Sequence, residues 1–325
     1  MKINTAQIKN IIVFRNDRFG EFLLNIPSLR ALKETFVNAR LIAVVSPYVK
    51  ELAGRVPFID EIIEWDSVRQ PFFKKINFIN QLRKKKIDIA VMLNPVKDFH
   101  IFAYLSGIPV RVGYNRKWGF LLTHKIQDKK HLGESHEIDY NLRLVSLIGA
   151  HTKDNSLSLS INGNEADTLL KDLNLAGYNN LVALHPWTSD SVKQWPFLYF
   201  RGLAERLTGQ GIRIIVVGGK SELAKSGELF GKMGANLIDL TGKTTLIQLA
   251  GILKRCKLLI SGDSGPVHLA CAVGTKVLAV FRNDIPGKAA KRWGPCGKGD
   301  IVIEKNNLSD ITVSEVLNKI EEALK

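Results

Sequence analysis

Short apolar runs rich in β-branched residues alternate with amphipathic stretches of helical length along almost the whole chain. That alternation is the pattern of βαβ units that feed parallel sheets. In the first half it predicts strands at 10–15, 40–45, 61–65, 87–93 and 109–112, with helices over 21–36, 72–85 and 136–147. The second half repeats the rhythm with strands at 181–184, 213–217, 236–240, 258–260 and 276–281, and helices over 196–208, 222–232, 246–256 and 265–272. Between them the segment 160–180 is polar, with Gly and Asn around a short helical pattern, and is the expected linker. The prediction is an α/β protein of two Rossmann-like domains with parallel sheets facing a central cleft. The domains are residues 1–160 and 181–325, joined by 161–180, with the last helix able to pack back on the first domain. No sequence repeat relates the halves.

The length of 325 residues suits two such domains, and 45% hydrophobic with 24% charged residues is a globular composition. The richest apolar region, 257–281, is interrupted by Ser261, Asp263, His268 and Lys276, so an integral membrane protein is excluded. The apolar run before Arg15 is only four residues long, too short for the core of a signal peptide. Cys256, Cys271 and Cys296 are odd in number and form no CxxC, so neither a disulfide framework nor a zinc site is expected, and a reducing cytosol fits. The net charge is +15, and residues 1–160 hold +10 of it, with 25 Lys and Arg against 15 Asp and Glu. The first half is therefore the expected face for an anionic partner, docking at a membrane surface without inserting. The basic clusters carry no interleaved aromatics in sequence, so nucleic acid is not expected.

Several apparent motifs fail on spacing or context. Gly219-Lys220-Ser221 and Gly242-Lys243-Thr244 end like P-loops, but the glycine needed five residues earlier is Ile214 in one and Leu237 in the other. Gly262-Asp263-Ser264-Gly265-Pro266 resembles a protease nucleophile segment but sits between a strand and a helix. The loop Asn16-Asp17-Arg18-Phe19-Gly20 has one glycine where a dinucleotide fingerprint has three. No Asp-x-Asp is present to hold a metal against a diphosphate.

What remains is cationic charge and amide donors at helix starts. The amides of Ser264 and Gly265 open a helix after a buried strand, where a diphosphate fits, with Asp263 beside it to accept from sugar hydroxyls. His268 lies one turn on. The loop from His185 to Pro196 carries Thr188 and Ser189 and then Lys193, the cation a metal-free diphosphate site needs. Gly218 and Glu222 form a glycine turn with an acid at a helix start, suited to ribose hydroxyls. In the first half Glu21 begins a helix, where a carboxylate stays ionised near neutral pH and can take a proton from an acceptor hydroxyl. Asp17, Arg18 and Arg116 are the candidate acceptor contacts.

Together these segments resemble glycosyltransferase family 9, the ADP-heptose:lipopolysaccharide heptosyltransferases. The likeness runs in order through IIVFRNDRFGEFLLNIPSLRALKETF, RVGYNRKWGFLLTHKI, LVALHPWTSDSVKQWPFLYFRGLAERL, IIVVGGKSE and DLTGKTTLIQLAGILKRCKLLISGDSGPVHLACAVGTKVLAVF, the last being the most specific. The resemblance implies a GT-B fold, donor on the second domain and acceptor on the first, and metal-independent inverting transfer of heptose from ADP-heptose to a lipid-linked inner-core glycan. It places Glu21 on the family's general-base aspartate, Lys193, Asp263, Ser264, Gly265 and His268 on donor positions, and Glu222 at the ribose. It implies no cofactor and no metal, a cytoplasmic location, and peripheral contact at the inner face of the inner membrane. Two departures bear on substrate: Glu21 replaces an aspartate, and Trp187 stands where a small residue is common. A nucleotide-sugar-binding module without catalysis, or a member with another donor sugar, are the alternative expectations.

Overall fold

The computed structural model describes residues 3–66, 68, 70–172 and 181–324, and the chain divides into two units, Met1–Ser156 and Leu157–Lys325. In the first, strands β1 (Asn10–Phe14), β2 (Arg40–Val45), β3 (Glu61–Glu64), β4 (Ile89–Met92), β5 (Val110–Tyr114) and β6 (His124–Ile126) form one parallel sheet in the order β3-β2-β1-β4-β5-β6. In the second, β7 (Leu181–His185), β8 (Arg213–Val216), β9 (Leu237–Asp239), β10 (Cys256–Gly262), β11 (Lys276–Arg282) and β12 (Ile301–Lys305) run β12-β11-β10-β7-β8-β9, again all parallel. Counted from its own first strand, the second sheet has the order of the first. In each sheet the strand order reverses beside the first strand, between β1 and β4 and between β7 and β10. Loops leaving the carboxyl ends there diverge and open a crevice, the usual ligand position in such sheets.

Strands β4 and β7 are buried along their whole length and β1 along all but its first residue. This is why they read as continuous apolar runs rather than alternating ones. In the first unit Phe14 stacks on Phe99 with ring centroids 4.7 Å apart. In the second, fully buried Trp195 meets Phe200 edge-on at 4.7 Å and donates its indole N–H to the Ile311 carbonyl at 2.9 Å.

The predicted helix 21–36 is two helices, Phe19–Leu23 and Ile26–Thr35. Pro27 sits in the first turn of the second, where its missing N–H costs nothing, and continuation from the first helix stops there. The Asn25 side-chain amide donates to the Glu21 carbonyl at the break.

The expected linker 161–180 is corrected: helix Gly163–Asp172 belongs to the second unit, packs on helix Leu246–Arg255 and pairs Asp167 with Arg255, while 173–180 lie outside the described residues. The last helix, Val313–Leu324, packs on helix Phe197–Gly209 of the second unit, burying Val316 and Ile320. All three thiols are free, and Cys271 Sγ accepts from the Cys296 amide at 3.4 Å. Helix Lys97–Leu105 and the edge strands β6 and β12 were not predicted.

Candidate active site

Strand β10 ends at Gly262, and Asp263 and Ser264 lead into helix Gly265–Val273. Ser264 holds the N-cap position in extended backbone, but its hydroxyl does not cap the helix. It lies instead 2.8 Å from Ser261 Oγ and 3.1 Å from His185 Nδ1. Ser261 Oγ in turn donates to the His185 carbonyl at 3.0 Å. Burial drives the His185 imidazole down to about 3, so it is neutral and hydrogen-bonds these hydroxyls without bringing charge. With the Ser264 side chain engaged there, it does not compete with an anion for the amides that open the helix.

Lys193 closes a 3-10 turn, Ser191–Lys193, whose cap is the Asp190 carboxylate accepting from the Val192 amide at 3.3 Å. Two anchors hold the turn over the sheet: Gln194 donates to the Pro186 carbonyl at 2.9 Å, and Trp195 is sunk in the core. The Lys193 carbonyl lies 3.5 Å from where a Gly262 Cβ would stand, so the turn rests on the end of β10. Lys193 and Asp263 were expected as separate donor contacts. They form one largely buried ion pair, Nζ to Oδ2 2.5 Å. Burial pushes the Asp263 carboxyl up and Lys193 only partly offsets this. Thr188 Oγ1 donates to the Asp263 carbonyl at 3.4 Å, which brings the loop of Thr188 and Ser189 to the same place. Arg292 and Trp293, which sequence reasoning missed, are there as well. The Lys193 ammonium is 5.9 Å from the Trp293 ring, on which the Arg292 guanidinium stacks at 4.4 Å.

Gly218 follows β8, and a Cβ there would stand 2.4 Å from Nε1 of buried Trp187, whose indole donates to the Val217 carbonyl at 3.0 Å. The large residue of the β7 loop thus lies beneath this turn, and Gly218 is fixed by Trp187. Glu222 is half-buried and accepts from Ser221 Oγ at 2.6 Å at the start of helix Leu223–Phe230. His268 is buried one turn into its helix.

In the first unit the loop after β1 is organised by Arg15, another residue not singled out from sequence. It is buried, donates to the Leu93 carbonyl at 3.0 Å and holds Asp17 at 2.7 Å. Asp17 is therefore committed to Arg15. Arg18 is exposed at the start of helix Phe19–Leu23, and Glu21 is half-buried within it. The helix-start expectation for Glu21 is reversed: burial first, then the neighbouring Asp17 charge, push its carboxyl above the ordinary value, against Arg15 and Arg18. Arg116 is exposed after β5 and pairs with Asp128 at 3.2 Å.

The sequence profile of glycosyltransferase family 9 (heptosyltransferase) matches residues 76–318. This chain belongs to that family. A family 9 glycosyltransferase is accordingly the enzyme in hand. It is 24% identical over 276 residues to lipopolysaccharide heptosyltransferase 3 of Escherichia coli, covering 81% of this chain and 80% of that protein. The solved structure of E. coli ADP-heptose lipopolysaccharide heptosyltransferase II superposes with a TM-score of 0.84 at 19% identity, over 98% of both chains, and shares the GT-B fold. The dodecameric iron-containing heptosyltransferase TibC of enterotoxigenic E. coli, solved with ADP-D-β-D-heptose, shares the fold at a TM-score of 0.57 and 14% identity, over 98% of this chain and 76% of that one. Among the described residues of the family 9 chain no three His, Cys, Asp or Glu side chains gather as a metal-ligand set, and no helix is long and apolar enough to cross a membrane.

Proposed function

We propose that this enzyme transfers heptose from ADP-heptose to an anionic, lipid-linked inner-core glycan of lipopolysaccharide, by a single inverting displacement that needs no metal. The reading is carried by the meeting of Lys193, Asp263 and the opening of helix Gly265–Val273 at the strand-order reversal of the second sheet. Support for the donor comes from the E. coli relative of the same fold that is named for ADP-heptose. In this mechanism the diphosphate displaces Asp263 from the Lys193 ammonium and takes the Ser264 and Gly265 amides, while Thr188 and Ser189 supply hydroxyls. Asp263, so released, accepts from sugar hydroxyls near His268, and Glu222 beside Gly218 accepts from the ribose. Glu21 takes the proton of the acceptor hydroxyl as its oxygen bonds to the anomeric carbon. The bond from that carbon to the diphosphate breaks, and the charge left on ADP is held by Lys193 and the amides. Arg18 and Arg116, with Asp17, meet the acceptor.

The enzyme acts in the cytoplasm in peripheral contact with the anionic inner face of the membrane, and nucleic acid takes no part. The test is ADP release from ADP-heptose with and without a truncated lipopolysaccharide core. Acceptor-dependent release that persists in excess EDTA is expected. Loss of activity that magnesium or iron restores would refute the metal-free step, and donor binding without turnover would make the chain a binding module.

A further inference from the structure

Among the described residues all six exposed aromatic side chains, Tyr48, Phe72, Phe73, Tyr104, Trp118 and Phe120, belong to the first unit and none to the second. Their placement in the fold is as uneven as their number. Tyr48 lies in the turn after β2, Phe72 and Phe73 open the helix after β3, and Trp118 and Phe120 follow β5. Five of the six thus stand where the chain leaves carboxyl ends of the first sheet, the end that also carries Glu21; Tyr104 alone is elsewhere. Tyr48 meets Phe19 of the Glu21 helix at 6.3 Å. The helix of Phe72 and Phe73, Phe72–Lys84, is tied to helix Lys97–Leu105 by Lys75 and Asp98 at 2.6 Å. The neighbouring Lys97 reaches over the Trp118 ring at 4.6 Å, and Trp118 pairs with Phe120 at 5.5 Å.

Exposed cations accompany these rings along the same segments: Lys74 follows Phe73, Arg116 and Lys117 precede Trp118, and Lys97 lies over the Trp118 ring. Phe72 and Phe73 are 78% and 67% exposed and Phe120 is 67% exposed, although solvent is a poor environment for all three. Rings that lie at the headgroup level and cations that attract acidic lipid are the two components of a bilayer-docking surface.

We propose that this rim is a membrane-docking face, whose aromatic side chains enter the headgroup region of an anionic bilayer while the interspersed Lys and Arg neutralise lipid phosphates. The proposal deepens the functional reading, on which it rests for the presence of a membrane. It also alters the expectation from charge alone, which was docking without insertion. Stacking of the same rings on nucleic-acid bases is the competing outcome, and the test separates the two.

Full-length protein is mixed with phosphatidylcholine vesicles with and without phosphatidylglycerol, free of any glycolipid, and binding is read by cosedimentation and by quenching of tryptophan fluorescence with acyl-brominated lipid. The wild type should bind the anionic vesicles and be quenched, and Trp118→Phe should lose most of that quenching. Phe72→Ser/Phe73→Ser/Phe120→Ser should partition at least about tenfold more weakly with an unchanged melting temperature. Leu198→Ser, an equally exposed apolar site in the second unit, should bind as wild type. The proposal is overturned if the triple variant binds as wild type, if the wild type does not bind, if binding comes without quenching, or if a single-stranded oligonucleotide competes the vesicles away. Because no acceptor or donor is present, these outcomes are independent of whether heptose transfer is confirmed.

Discussion

Replacing Glu21 with Gln removes the carboxylate charge and preserves shape, and the structure predicts effects of opposite sign on activity and stability. A general base contributes on the order of 10² to 10⁴ in rate, which at about 1.36 kcal/mol per decade is about 2.7 to 5.4 kcal/mol of transition-state energy. Transfer by Glu21→Gln should therefore fall by at least about a hundredfold. Stability should move the other way. Burial and the Asp17 charge raise the Glu21 pKa above its ordinary value, so the folded state prefers the neutral acid. The stabilisation from protonation is complete below the unfolded pKa and is lost as pH rises through the folded one. At pH 8 the variant, which carries no charge there, should melt above wild type, and the difference should shrink toward zero near pH 4. For the same reason the acid limb of the wild-type rate profile should lie higher than an ordinary glutamate would place it. The assays are ADP release with saturating acceptor and thermal melting at the two pH values. Turnover within a few-fold of wild type refutes Glu21 as base. A lower melting temperature at pH 8 shows that the carboxylate anchors the helix, so that a loss of rate could not be ascribed to proton transfer.

Lys193→Ala should suppress turnover strongly and also cost ~3 kcal/mol of stability, because it strands the buried Asp263 carboxylate. Adding Asp263→Asn should recover the melting temperature and not the rate, and recovery of both would remove Lys193 from the chemistry. Gly218→Ala should destabilise, since the new Cβ falls 2.4 Å from Trp187 Nε1, and a smaller residue at 187 should relieve it in a double variant followed by melting. If Gly218→Ala melts as wild type and merely weakens donor binding, the turn is set by the ligand and not by Trp187.

The buried strands were legible because a parallel sheet covered on both faces writes itself as an unbroken apolar run, as in β1, β4 and β7. The edge strands β6 and β12 escaped for the converse reason, His124–Ile126 being short and half polar and Ile301–Lys305 exposing alternate residues. Helix 21–36 looked continuous because its apolar period runs through Asn25, and only Pro27 marked the break. At the candidate site the sequence located the loops but not their internal bonds. Lys193 with Asp263, and His185 with Ser261 and Ser264, meet across some seventy residues of chain, a relation set by the β7–β10 pairing. Trp187 read as a departure from a small-residue loop; its partner Gly218 comes from another strand end, so the exchange of bulk between the two has no local signature. Arg15 carried a signal that was available, a charge at the end of an apolar strand, which is costly unless it is bonded.

The two sheets share one strand order, each with its own core, and the chain passes between them once, at Ser156 and Leu157. Under the proposed roles, the residues that choose the acceptor and those that hold the nucleotide sugar therefore belong to separately heritable segments. Mutations that remodel the turns after β1 and β5 can retarget the enzyme to a new glycan without passing through forms that have lost their donor. Recombination near the crossing point could achieve the same in one event, so a lineage can diversify its surface sugars while its activated-sugar supply stays fixed.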